Sequence, residues 1–129
     1  MLSKPSRVRA EDHRDAIQKR RARPWQVAVI EQAVARLLGV APPAFRSASR
    51  GTATIAHARQ IAMYLARTKL ELSYAAIGHA FCRDRTTVAH ACRTIEELRE
   101  QGPVDDLLAK LEDALEPRLA ACGLIVGRG

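Results

Sequence analysis

Residues 73–98 read SYAAIGHAFCRDRTTVAHACRTIEEL, and the spacing within them sets the architecture. Ser73 is a good N-cap for a short helix, Tyr74 to Phe81, in which Ile77 and Phe81 fall at i, i+4 on one face. Gly78 costs that helix some stability, which points to close packing against a neighbour. Asp84 is suited to cap the next helix, Arg85 to about Arg99, because a carboxylate can accept from exposed first-turn amides and favours the positive helix end. Val88, Ala91, Cys92, Ile95 and Leu98 form its apolar stripe, and Arg85, Thr86, Ala89, His90 and Arg93 occupy the opposite side. Only Cys82-Arg83-Asp84 separates the two helices. Two helices joined this tightly, the second apolar inward and Arg/Thr outward, describe a helix-turn-helix.

Working outward, the chain is helical on both sides. Thr54 to Lys69 carries Ala58, Ile61, Ala62 and Leu65 on one stripe, and the pattern predicts Arg59, Gln60 and Arg67 turned away from it. From Trp25 to Leu38, Val27, Ile30, Val34, Leu37 and Leu38 recur at helical spacing, with Pro24 at the first turn and Gly39 as the stop. Residues 40–50 contain Pro42 and Pro43 and predict a connector, with room for a helical turn near Phe45. After Gly102-Pro103, Leu107, Leu108, Leu111 and Leu115 predict one more helix over 104–122, packed on the domain or on a partner. No internal repeat or strand pair is evident. The expected fold class is all-α, a bundle of five or six helices: a basic arm over 1–23, a helix-turn-helix domain over 24–102, and an acidic amphipathic helix and tail over 103–129.

Charge is distributed to match. The 129 residues carry a formal net charge of +7. Residues 1–23 hold eight Lys/Arg against three Asp/Glu, residues 24–98 nine against five, and residues 99–129 four against six. That balance favours a polyanionic partner, nucleic acid or an anionic membrane surface. The run from Lys19 to Arg23 suits either phosphate binding or a solvated tail. No apolar run approaches the roughly 20 residues of a bilayer span, and the N-terminus has no signal-peptide pattern. Cys82, Cys92 and Cys122 are odd in number and irregular in spacing, so a reducing, cytoplasmic location is expected, at the nucleoid if the partner is DNA.

The outward side of helix 85–99 suits base edges. A helix fits the major groove, where Arg85 can clamp guanine, Thr86 or Thr87 can bond a base or touch a thymine methyl, and Asp84 can accept from a cytosine amino group. Asp84 as a simple N-cap is an equal alternative. His90 and Arg93 follow Thr86 at i+4 and i+7 and, with Arg83 in the turn, are candidates for phosphate; plain surface is the other reading. His79, Cys82, His90 and Cys92 mix metal-ligand types, but Cys92 is expected inward and His90 outward, so neither metal nor other cofactor is expected. No nucleophile with its base, and no carboxylate pair in a cleft, is evident, so an enzyme is not expected.

The run ARQIAMYLARTKLELSYAAIGHAFCRDRTTVAHACRTIEEL, residues 58–98, resembles the C-terminal DNA-binding domain of the bacterial replication initiator DnaA, whose hallmark is an Arg-Asp-His-Thr-Thr-Val turn. Weaker similarity reaches back to Trp25. The resemblance implies a Trp-repressor-like bundle that recognises a short asymmetric duplex element, with bases read by Asp84, Arg85 and Thr86 beside Thr87. It implies phosphate contacts from Arg59, Gln60 and Arg67, and a minor-groove arginine for which Arg50 is nearest. Three departures stand out: the turn is one residue shorter, Arg85 replaces the family histidine, and Ser49-Arg50-Gly51-Thr52 is less basic. No Gly-rich nucleotide-binding loop occurs in the sequence. The expectation is a stand-alone reader of double-stranded DNA that regulates transcription or replication initiation. The competing expectation is a protein-interaction module, with the acidic C-terminal helix as the surface for self-association or for a replication or regulatory protein.

Overall fold

The structure is a computed structural model that describes residues 24–47 and 51–121. Within them the chain forms five α-helices and one 3₁₀ turn, with no strand among the described residues. They are α1 (Pro24–Leu38), the 3₁₀ turn (Pro42–Arg46), α2 (Ala53–Lys69), α3 (Tyr74–Phe81), α4 (Arg85–Arg99) and α5 (Pro103–Ala121). The architecture is the all-α bundle expected. The basic arm over 1–23, the Arg50 minor-groove candidate and Cys122 lie outside the described residues.

Helix α1 stops at Gly39, whose φ of 71° only glycine adopts without strain, and the Gly39 and Val40 amides both donate to the Ala35 carbonyl. The two prolines then permit the 3₁₀ turn, which inserts Phe45 fully into the core, edge-on to Phe81 at 6.5 Å between ring centroids. Helix α2 begins one residue before the expected start because Thr52 caps it, its hydroxyl accepting from the Ile55 amide at 3.2 Å.

Helix α2 runs through the centre of the bundle, against α1, α3 and α4. The expected stripe of Ala58, Ile61, Ala62 and Leu65 is buried, but so are Met63, Tyr64 and Ala66. Arg59 was expected on the outward face and is a correction: it is only 6% exposed. A helix covered on several sides has no room for an ordinary amphipathic outer face, so an arginine at this position must find acceptors inside.

Helix α5 completes the same core. Leu108, Leu111, Leu115 and Leu119 are buried against the domain, so its leucine face is taken up by this chain. Its acidic residues Asp105, Asp106, Asp113 and Glu116 remain exposed. Burial of one leucine side chain stabilises by about 1.5–3 kcal/mol relative to exposure, enough for four of them to hold the helix in place. Among the described residues no helix is long and apolar enough to cross a membrane.

Candidate nucleic-acid interface

The turn between α3 and α4 is built by three backbone features. Cys82 takes a left-handed conformation (φ 59°, ψ 47°) that terminates α3, and its amide and that of Arg83 both return to the Gly78 carbonyl. Gly78 is therefore required: a Cβ there would stand 2.3 Å from the Arg83 carbonyl oxygen. The close neighbour anticipated from this glycine is the turn itself. Asp84 then swings to extended geometry and its carbonyl accepts from the Val88 amide at 3.0 Å, starting α4.

Ser73 caps α3 through its hydroxyl, as expected, accepting from the Ala76 amide at 3.1 Å. Asp84 does not behave so: it holds the N-cap backbone position, but its carboxylate accepts no capping hydrogen bond. The position needs only an extended backbone. At an exposed site water competes for the side-chain oxygen, so the capping bond is dispensable there.

Helix α4 buries Val88, Ala91, Cys92 and Ile95 and exposes Arg85, Thr86, Thr87, His90 and Arg93. Burial pushes the Cys92 thiol up to about 11, consistent with a small core side chain and not a reactive one. Among the described residues no three His, Cys, Asp or Glu side chains are placed to hold a metal ion.

Open grooves flank the exposed strip. One, between α2 and α4, is lined by Gln60, Thr87 and His90 with Arg59 and Arg83 behind them. The other, between α2, α3 and α4, is lined by Arg67, Tyr74, Ala89 and Arg93 together with Glu96 and Glu97. Every base-edge candidate and every described phosphate candidate thus falls on or beside the first half of α4. Arg50 is the one candidate that the described residues do not include.

The basic residues differ in what they already hold. Arg59 donates from Nε to the Phe45 carbonyl and from Nη2 to the Ala44 carbonyl, both at 3.0 Å. Burial, and then the nearby Arg83 charge, lower its pKa from the usual arginine value. Arg83 donates to the carbonyls of Phe81, Cys82 and Ser47. Arg67 donates to the Leu72 carbonyl and lies 4.4 Å from the centre of the Tyr74 ring. Arg85 and Arg93, by contrast, make no hydrogen bond or ion pair among the described residues and are exposed.

Sequence reasoning did not single out Arg46 or Glu31. Arg46 donates from Nε to the Ala80 carbonyl and from Nη2 to buried Glu31, tying α1 and the 3₁₀ turn to the end of α3. The second Glu31 oxygen has no hydrogen-bond partner among the described residues, and burial raises the pKa of Glu31 despite the Arg46 charge. No periodic signal points to this pair, because a glutamate on an apolar helix face is rare in any pattern and its partner lies in a connector.

A family model described as the bacterial DnaA protein helix-turn-helix matches residues 27–95 of the chain. The chromosomal replication initiator protein DnaA of Thermoanaerobacter sp. (strain X514) is 39% identical over 93 residues, covering 72% of this chain and 20% of that protein. The DnaA proteins of Psychromonas ingrahamii and of Azoarcus sp. (strain BH72) are 52% and 59% identical over 57 and 49 residues, covering 43% and 37% of this chain and 12% and 10% of theirs. The chain spans about a fifth or less of the length of these curated relatives.

Proposed function

The chain belongs to the bacterial DnaA helix-turn-helix family, a DNA-binding domain, and from that premise we propose that it reads duplex DNA in a sequence-specific manner through the first half of α4. The observation that carries the reading is the state of the α4 N-terminus. Arg85, Thr86 and Thr87 are exposed there with no hydrogen-bond or ion-pair partner among the described residues, and the first turn holds no acidic residue. A cation at the positive end of a helix is misplaced for stability by a few tenths of a kcal/mol. It is well placed for a polyanionic partner, toward which the positive helix end and the arginine draw the start of α4.

With α4 in the major groove, Arg85 takes guanine by two hydrogen bonds, Thr86 and Thr87 present hydroxyl and methyl to base edges, and the uncapped Asp84 carboxylate accepts from cytosine. Gln60 and His90 on one flank, and Arg67 and Arg93 on the other, meet the phosphates. Arg59 adds charge from behind the first groove. The module is a reader and not a catalyst. Its biological output is control of transcription or of replication initiation, at the nucleoid.

The test is selection of bound sequences from a random duplex library at near-physiological salt, with wild type and Arg85→His in parallel. An enriched motif that changes at one base pair in Arg85→His supports the reading. A common motif for both proteins removes Arg85 from base recognition. Absence of any motif overturns sequence-specific binding and leaves the interaction-module alternative.

A further inference from the structure

We propose that Arg83 is a positioning residue, which sets the angle of the reading helix by tying the turn to the 3₁₀ connector and does not itself hold a phosphate. The inference rests on the DNA-reading role of α4 and assigns Arg83 a different task from that of its neighbours.

Helix α3 ends in a left-handed residue, and its last carbonyls point away from any further helical turn. Two arginines meet them. Arg46 takes the Ala80 carbonyl, and Arg83 takes those of Phe81 and Cys82 with Nη1, at 3.3 and 3.0 Å. With Nη2, Arg83 reaches 36 residues back to the Ser47 carbonyl at 2.7 Å, the shortest of its bonds. Arg59 holds the preceding carbonyls of the same connector. The planar fork of a guanidinium is what allows one side chain to span both segments; an ammonium with the same charge cannot hold that plane. The Arg83 backbone carbonyl is meanwhile pressed against Gly78, so the residue is held from both sides. With three bonds to carbonyls, the head is committed to the protein. Releasing it for a phosphate would free the turn from the connector at the moment α4 must be held at one angle.

Charge and fork can be separated by experiment. In the full chain, Arg83→Lys keeps the charge and loses the fork, Arg83→Met loses both, and Arg93→Gln is the comparison for a phosphate contact. Binding to the best selected duplex and to a scrambled duplex is measured over a range of KCl concentrations, with circular dichroism confirming that each variant is folded. The expected result is that Arg83→Lys loses roughly tenfold or more in preference for the selected duplex while its salt slope on the scrambled duplex stays at the wild-type value. If Arg83→Met does not fold, Arg83→Lys alone decides. Wild-type preference in Arg83→Lys, or equal weakening on both duplexes with a slope flattened by about one unit in Arg83→Met, overturns the assignment and leaves the DNA-reading role of α4 intact. A wild-type protein with no preference between the two duplexes overturns both, since an angle that reads no sequence positions nothing.

Discussion

Arg85 and Arg99 begin and end the same helix, in opposite states. Arg99 donates to Asp105 at 2.8 Å, to both oxygens of Glu112 at 3.1 and 3.2 Å, and to the Tyr64 hydroxyl at 3.1 Å. The bonds to Glu112, foremost, hold its pKa above even the usual arginine value. It also lies at the negative end of α4, where a cation is favourable. Arg85 has no such partners and the opposite dipole. The acidic helix α5 supplies the partners at one end, and no described residue supplies them at the other. Formal charge therefore overstates what is available to a ligand. Arg46, Arg59, Arg83 and Arg99 work largely inside the fold; of the basic groups that make no hydrogen bond or ion pair among the described residues, Arg85 and Arg93 lie on α4, while Arg36 and Lys110 lie apart on α1 and α5.

The comparison can be broken most severely at the turn. Gly78→Ala forces a methyl group against the Arg83 carbonyl, and the expected cost is about 3 kcal/mol, read as a lowered denaturant midpoint together with lost duplex binding. An unchanged midpoint would mean that the close approach of turn to α3 is not real. The two arginines themselves give the next contrast. Arg99→Ala should cost about 2 kcal/mol of stability, because Glu112 is left half-buried without its partner, while the sequence preference of the folded protein is retained. Arg85→Ala should leave stability within about 0.5 kcal/mol and remove about 1–3 kcal/mol of discrimination at one base pair. If both variants moved the same quantity, the division of labour along α4 would fail.

A smaller effect sharpens the assignment of the flanks. Arg93→Gln should weaken binding to all duplexes alike and flatten the salt slope by about 0.9, with no change in preferred sequence. The smallest concerns Glu31. Its pKa is raised in the folded protein, chiefly by burial, so the stability it contributes is fully present below the ordinary carboxylate pKa and is lost as pH rises through the raised value. Relative to Glu31→Gln, the wild type should lose stability as pH rises from the ordinary carboxylate pKa through the raised value. A trend of the opposite sign in thermal unfolding would show that attraction to Arg46 outweighs burial.

Much of the fold was legible because the helices of this chain are amphipathic and punctuated. The apolar stripes of α1, α4 and α5, Gly39 as a stop and Ser73 as a cap are local features. They depend on residues three and four apart and on backbone preferences that neighbours cannot easily override. The strip Arg85, Thr86, Thr87, His90 and Arg93 was legible for the same reason: the face opposite an apolar stripe is exposed wherever the helix lies on a surface. Arg59 was not, because the 3₁₀ connector, distant in sequence, covers that end of the predicted outer face of α2, while Arg67 on the same face stays exposed. Asp84 was half legible, as a position but not as a bond.

By itself, the sequence determined that this is an all-helical protein with a helix-turn-helix and an excess of positive charge. Helical periodicity, capping chemistry and net charge are properties of neighbouring residues or of the whole composition. Which arginines are available to a ligand was decided only by tertiary structure. The carbonyls of Ala44, Phe45 and Ser47 that Arg59 and Arg83 engage, and the carboxylates that hold Arg99, come from distant parts of the chain. For the buried Arg59 this commitment is required, since a buried guanidinium and buried carbonyls left without partners cost about 1–3 kcal/mol or more.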